Sequence, residues 1–253
     1  MLDRETFIRP IAHRGLHNAP SLGLVENTGP AFEAAIAKGY GIECDVRPGQ
    51  GGLALVFHDK TTSRLMMQDR DVASLSSCDL ASLNFRDTNA PLLTFSACLE
   101  LVAGRVPLIV EVKSDWDAPD PEFVKQLADG ANAYRGPIAF KSFDPAYLIA
   151  LHAVAPATPR GIVSCDYSVV AQWVEKLGRD RCYRLTHLLE SGPVAPSFYS
   201  YDVKALPTPI TRFVREVQHL PLLTWTVKSH DDWKVAKTWA DAPVFEGPVP
   251  EGW

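Results

Sequence analysis

Strand-like and helical segments alternate along nearly the whole chain, and that rhythm restricts the fold more than any single motif. "RPIAHRG" reads as a strand and "TGPAFEAAIAKG" as a helix capped by Thr28 and stopped by Gly39. "YGIECDVRP" is the next strand, and "LALVFH" a further extended piece. Residues 60–92 are irregular and polar, with one short helical stretch expected near Val72 to Leu83. The alternation then resumes. "VPLIVEVKS", "GPIAFKSF", "TPRGIVS", "PSFYSYDV", "LPLLTWTV" and "DAPVFEG" read as strands. Helical stretches lie between them, the longest being "DYSVVAQWVEKLGRDRCYRLTHLLES". About eight strands, each but the last followed by a helix, predict an α/β chain with a parallel sheet. About eight βα units in 253 residues match a closed (β/α)8 TIM barrel. The alternative is a doubly wound open sheet. Against it, no glycine-rich phosphate loop opens the first helix, and "GQGG" at 49–52 lies between two extended segments.

Composition adds exclusions. Apolar residues make up 46% of the chain and charged residues 22%, enough to build a sizeable core, and the length suits one large domain spanning residues 1–253. A formal charge of −5 argues against a nucleic-acid partner but not against small anions, which are bound by local fields. The five cysteines form no CxxC pair and are expected to be reduced and structural. The N-terminus "MLDRETFIRPIAHRG" has no apolar signal core, and no run is long enough to span a membrane, so a cytoplasmic location is the expectation.

Barrel enzymes build their sites at the C-terminal ends of strands. In this chain those ends carry His13-Arg14-Gly15, Glu43 and Asp45, His58-Asp59, Glu111 and Lys113, Lys141, Asp202, Trp225-Thr226 and Glu246. Glu43 and Asp45 lie two apart and share a strand face, and Glu111 from the neighbouring strand should converge on them. Three carboxylates aimed at one point repel one another and take up protons unless a cation is shared. A hard divalent ion, Mg²⁺ or Ca²⁺, fits an all-oxygen set. Lys113 shares the face of Glu111, either as a phosphate contact or merely as a neutralising charge. His13 and His58 can divide general acid and base work near neutral pH. A zinc site built on histidine pairs is disfavoured, because no HxH or HExxH occurs. His152, His187 and His219 read as structural, and His17 stays open. Arg14 suits bidentate contact to phosphate or a buried pair with Glu26, and the two are compatible. Trp225 suits an apolar wall over a ligand, or the core. A cation, two histidines, an arginine and a lysine in one cleft suit attack at phosphorus.

The ordered motifs "HRG", "ENT" at 26–28, "IECDV", "VFHD" and "EVK" resemble the signature of the glycerophosphodiester phosphodiesterase family, with "SFDP" at 142–145 and "LTWTV" at 223–227 in keeping. The resemblance runs from His13 to about Glu246, and its first half is the specific part. It implies a (β/α)8 barrel that hydrolyses small-molecule glycerophosphodiesters to an alcohol and sn-glycerol 3-phosphate. It further implies a divalent cation on Glu43, Asp45 and Glu111, His13 and His58 as the acid–base pair, and Arg14 and Lys113 on phosphate. Residues 60–92 take the place of a short insertion after the second strand region. Two features depart from the pattern. "PGQGG" replaces an Asp-Gly turn, and the last strand lacks the Thr-Asp-x-Pro ending, so no site residue is carried over from it. Lys141 and Lys204 lie outside the signature and are kept outside the main site, as residues that could shape recognition of the leaving alcohol.

Three rival readings differ in one feature each. A lysophospholipase D needs an apolar entry groove, for which Leu65, Met66 and Met67 are the candidates. A non-catalytic phosphodiester-binding barrel would have lost a histidine or carboxylate, and all five positions are present here. An enolase-like barrel would take its metal ligands singly from three successive strands.

Overall fold

The computed structural model describes residues 2–251. Its strands are β1 (Ile11–His13), β2 (Gly41–Pro48), β3 (Ala54–Val56), β4 (Leu108–Val112), β5 (Ile138–Ser142), β6 (Arg160–Ser164), β7 (Phe198–Asp202), β8 (Leu222–Val227) and β9 (Ala242–Phe245). All but β3 run parallel, in the order β1-β2-β4-β5-β6-β7-β8-β9, and β1 pairs with β9 to close the barrel. The expected architecture is thus present. β3 lies outside the ring, antiparallel to the second half of β2 through Val46↔Val56.

Local sequence starts and stops the surrounding helices. Asp120 and Asp144 cap α4 (Pro121–Ala133) and α5 (Pro145–Val154), and each is followed by a proline that needs no hydrogen-bond acceptor in the first turn. Capping boxes start α8 (Pro209–Glu216) at Thr208 and α9 (His230–Trp239) at Ser229. In α2 (Gly29–Ala37) Thr28 stands at the cap position, but its hydroxyl donates to Val25 O at 2.6 Å instead of accepting from the helix. The long helical run after β6 breaks into α6 (Ala171–Leu177) and α7 (Arg179–Thr186) at Gly178, whose φ is +77°.

Strand residues are buried on both faces, as a parallel barrel requires. Outward residues such as Ile42, Cys44, Val110 and Phe140 pack against Phe32, Cys98, Phe123 and Leu148 of the helices. Inward residues Ile11, Ile109, Ala139, Phe198, Leu223 and Val244 form a second apolar cluster, joined by Leu2 and Phe7 from the N-terminal segment and α1 (Arg4–Phe7). Gly161 makes room for it, since a Cβ there would run into the Phe198 ring. The next inward positions toward the C-terminal ends of β1, β4 and β5 are His13, Glu111 and Lys141. No helix among the described residues is long and apolar enough to cross a membrane.

Residues 60–92 differ from expectation. Instead of one helical stretch they hold two 3-10 turns, Val72–Ser74 and Leu80–Ser82. Asp71 and Asp79 are responsible: their carboxylates accept from Ala73 N (3.0 Å) and Ser76 N (2.8 Å), bonds that compete with a continuous helix. The segment packs around a satellite core that includes Leu55, Phe57, Met66, Val72 and Phe85.

The "PGQGG" turn has a packing cause. Gly52 has φ +78°, and a Cβ on it would lie 2.6 Å from Glu122 Cβ and 2.7 Å from Phe123 N, at the start of α4. Gly52→Ala combines left-handed backbone with overpacking and should cost about 2 kcal/mol or more. For a chain of this size that lowers Tm by about 4–8 °C. Gly51 has φ +66° with open space around it, so Gly51→Asn should hold Tm within about 2 °C. Equal losses in thermal unfolding of the two variants would remove the close contact with α4 as the cause.

Candidate active site

Strand register assembles the charged cluster. His13 is paired with Glu43, Asp45 with Glu111, and Glu111 with Lys141. Side chains two apart on a strand share a face, so the inward side of β2, β4 and β5 holds Glu43, Asp45, Glu111 and Lys141. The carboxylate oxygens of Glu43, Asp45 and Glu111 converge within 4.8 Å of one another, and all three residues are buried.

Three cations share these charges. Lys141 Nζ lies 3.0 Å from Glu43 Oε1 and 3.0 Å from Glu111 Oε2. Lys113 Nζ lies 2.8 Å from Asp45 Oδ1 and also bonds Glu111 Oε1. Arg14 Nε is 3.1 Å from Asp45 Oδ2, and Arg14 N donates to Glu43 Oε2 at 3.1 Å. Asn27 completes the clamp: its Nδ2 donates to Asp45 Oδ2 (2.9 Å) while its Oδ1 accepts from Asp45 N (3.2 Å). Burial by itself would raise both acids. Lys113 and Arg14 outweigh it at Asp45 and hold that carboxyl well below the usual range. Lys113 and Lys141 outweigh it at Glu111 and bring it down to about 2. The donor set suits a hard cation. Glu43 Oε1 and Asp45 Oδ1 are buried, each beside a lysine, yet neither accepts an aligned hydrogen bond.

Each site histidine is oriented by a carboxylate. His13 Nδ1 lies 2.7 Å from Glu246 Oε1, whose Oε2 is 2.7 Å from Lys228 Nζ. Burial raises Glu246, but the bonds from His13 and Lys228 together bring it down to about 2. His58 Nδ1 lies 2.7 Å from Asp59 Oδ1, and Arg47 Nε donates to His58 O at 2.6 Å. Burial lowers the pKa of the His58 ring. Arg64 then links this histidine to Arg14. Its Nε donates to Asp59 at 2.6 Å and its two terminal nitrogens to Glu26 at 2.7 and 2.8 Å, while Glu26 accepts from Arg14 at 2.8 Å.

A cavity of about 350 Å³ opens above the cluster. His13, Arg14, His58, Glu111, Lys113 and Trp225 all line it, so the structure brings the sequence-derived residues together, with Glu43 and Asp45 buried beneath. Its far side is aromatic. Phe143 meets Trp225 edge-on at 5.2 Å, and Trp116 meets Trp173 at 5.8 Å.

Two expectations need correction. Lys141 is no alcohol contact: it is 1% exposed and points into the carboxylates, because register sets it beside Glu111. Lys204 is tied to Asp232 at 2.6 Å, at the start of α9, and does not line the cavity. Asn27 and Arg64 were missed, and Glu246 was named among the strand ends but given no role. Glu246 carried one usable signal, its place at the end of the last strand.

A family model described as the glycerophosphoryl diester phosphodiesterase family matches residues 13–245. Comparison with curated proteins finds no match. Among solved structures, a putative glycerophosphoryl diester phosphodiesterase from Agrobacterium tumefaciens is 18% identical with a TM-score of 0.74, covering 95% of this chain and 94% of that one. A phosphodiesterase from Oleispira antarctica in complex with the product sn-glycerol-3-phosphate is 19% identical with a TM-score of 0.70, covering 94% and 92%. The glycerophosphodiester phosphodiesterase from Thermotoga maritima is 20% identical with a TM-score of 0.68, covering 94% and 93%. These likenesses show the shared barrel, and the match over residues 13–245 shows that the chain belongs to the glycerophosphoryl diester phosphodiesterase family of enzymes.

Proposed function

We propose that this enzyme hydrolyses glycerophosphodiesters to an alcohol and sn-glycerol 3-phosphate, with a divalent cation, Mg²⁺ or Ca²⁺, on Glu43, Asp45 and Glu111. The observation that carries the reading is the convergence of three buried carboxylates beneath a cavity lined by two carboxylate-oriented histidines. The O. antarctica relative, crystallised with that product, supports the choice of substrate.

A bound cation would supply charge to the non-bridging phosphate oxygens and to the developing transition state. Arg14 and Lys113, both lining the cavity, add fixed positive charge on its floor. Glu246 and Asp59 hold Nδ1 of His13 and His58, which leaves Nε2 of each ring as the nitrogen that moves protons. One histidine removes a proton from the nucleophile, and the other gives one to the leaving oxygen. Trp225 and its aromatic neighbours form the apolar side of the alcohol space.

That aromatic side favours hydrolysis of lysophospholipids as a second reading. Leu65, Met66 and Met67 do not support it: Met66 is buried in the satellite core, Leu65 packs against it, and only Met67, 63% exposed, faces solvent. Rates on glycerophosphodiesters against lysophospholipids, scored by release of glycerol phosphate or lysophosphatidate, separate the two readings.

Three outcomes are expected. His13→Ala and His58→Ala should each lower kcat by about 10²–10⁴-fold with an unchanged far-UV CD spectrum. Near-wild-type turnover in either variant sinks the proton-transfer pair. EDTA should abolish activity, and added Mg²⁺ or Ca²⁺ should restore it; full turnover by the stripped protein would refute the cation site. Arg64→Ala frees both Asp59 and Glu26, so kcat should fall and KM rise, by about 10–100-fold in kcat/KM. Arg64→Lys, which keeps the charge but not the fork, should recover only part of that. A change confined to Tm would leave Arg64 a purely structural residue.

A further inference from the structure

The barrel mouth holds a second convergence of ligand atoms, made of different chemistry from the first. His17, in the loop after β1, places Nε2 3.9 Å from Glu246 Oε1. That nitrogen is buried and has no hydrogen-bond partner. A buried polar atom left unsatisfied is uncommon and calls for a cause. His13 turns Nδ1 to the same carboxylate, 2.7 Å from Oε1. One ring nitrogen of His13, one of His17 and one oxygen of Glu246 lie within 4.8 Å of one another. The second carboxylate oxygen is held by Lys228, whose side chain is 58% exposed and free to turn to solvent.

Two imidazoles and one carboxylate form a borderline donor set. Zn²⁺ accepts such a set with a position left for water, whereas Mg²⁺ and Ca²⁺ select all-oxygen sets like Glu43, Asp45 and Glu111. The two sets lie on opposite edges of one ring: His13 Nδ1 faces Glu246, and His13 Nε2 is 3.9 Å from Glu43 Oε2.

We propose that His13, His17 and Glu246 form a zinc site separate from the carboxylate site, and that zinc bound there inhibits the enzyme. Binding uses the lone pair of Nδ1. The proton that Nδ1 shares with Glu246 in the free enzyme moves to Nε2, so Nε2 carries N–H and has no lone pair with which to accept a proton. Inhibition therefore rests on His13 being the histidine that accepts the proton, while binding does not. His17 does not line the reaction cavity, which makes it the residue that separates the two roles.

The test uses the full chain in saturating Mg²⁺, so that the oxygen site is filled. Zn²⁺ is titrated calorimetrically and, in parallel, into the diester assay. The wild type should bind one zinc per chain and lose activity over the same concentration range, without relief when Mg²⁺ is raised further. His17→Gln should hydrolyse diester at the wild-type rate without zinc and need at least about tenfold more zinc for both binding and inhibition. Glu246→Gln should weaken calorimetric binding likewise. Undiminished zinc affinity in His17→Gln, or inhibition that Mg²⁺ competes away, would overturn the site. Should the wild type turn over no diester at all, the function proposed above fails, and the calorimetric arm still decides zinc binding by itself.

Discussion

Everything at the mouth of this barrel depends on holding three carboxylates together where water scarcely reaches. Buried carboxylates without partners would take up protons or unfold the site. The chain avoids this by register: parallel pairing of β2 with β4 and of β4 with β5 sets Asp45 beside Glu111 and Glu111 beside Lys141. Lys113 and Arg14 add the remaining positive charge from the cavity side. The two lysines thereby divide a task that the sequence left as alternatives for one. Lys141, fully enclosed, can only neutralise. Lys113, whose side chain is 13% exposed and lines the cavity, can also turn to an anionic ligand.

Below this layer the barrel is apolar, and the two halves support each other. The cluster of Ile11, Ile109, Ala139, Phe198, Leu223 and Val244 fixes the strands over which the charged layer is registered. A slip of one residue in β2 would turn Glu43 and Asp45 outward among the helices, where no cation waits for them. The charged layer therefore costs stability if misplaced, and it penalises the wrong register while the apolar layer rewards the right one.

Fold and site were legible in the sequence to different depths. The alternating pattern determined the barrel, because several βα units carry their own caps and breakers, such as Asp144-Pro145 and Thr208-Pro209. The carboxylates, the two histidines, Arg14 and Lys113 were legible as charges at strand ends. Residues that act through other residues were not. Glu246 lies 233 positions from His13, and only barrel closure through β1 and β9 brings them together. Lys141 was misassigned because its place at a strand end says nothing of what stands beside it. The helical expectation for 72–83 failed because backbone N–H groups that donate to the Asp71 and Asp79 carboxylates break the segment into two short turns.

Residues 60–92 are more than a connector. Arg64 belongs to this segment, and it grips Asp59 and Glu26 at once. Those acids hold, in turn, His58 at the end of the β3 region and Arg14 after β1. Backbone pairing of β1 with β2 and of β2 with β3 brings those two loops near one another, and the guanidinium of Arg64 then bridges their acids. Met66 and Phe85, which anchor the segment in the satellite core with Leu55 and Phe57, fix where that fork stands. A surface segment of low regularity thus braces Arg14 and His58 through the acids that each of them bonds. Packing in the satellite core reaches the site through Arg64 and through Val25 and Phe57, the chain neighbours of Glu26 and His58.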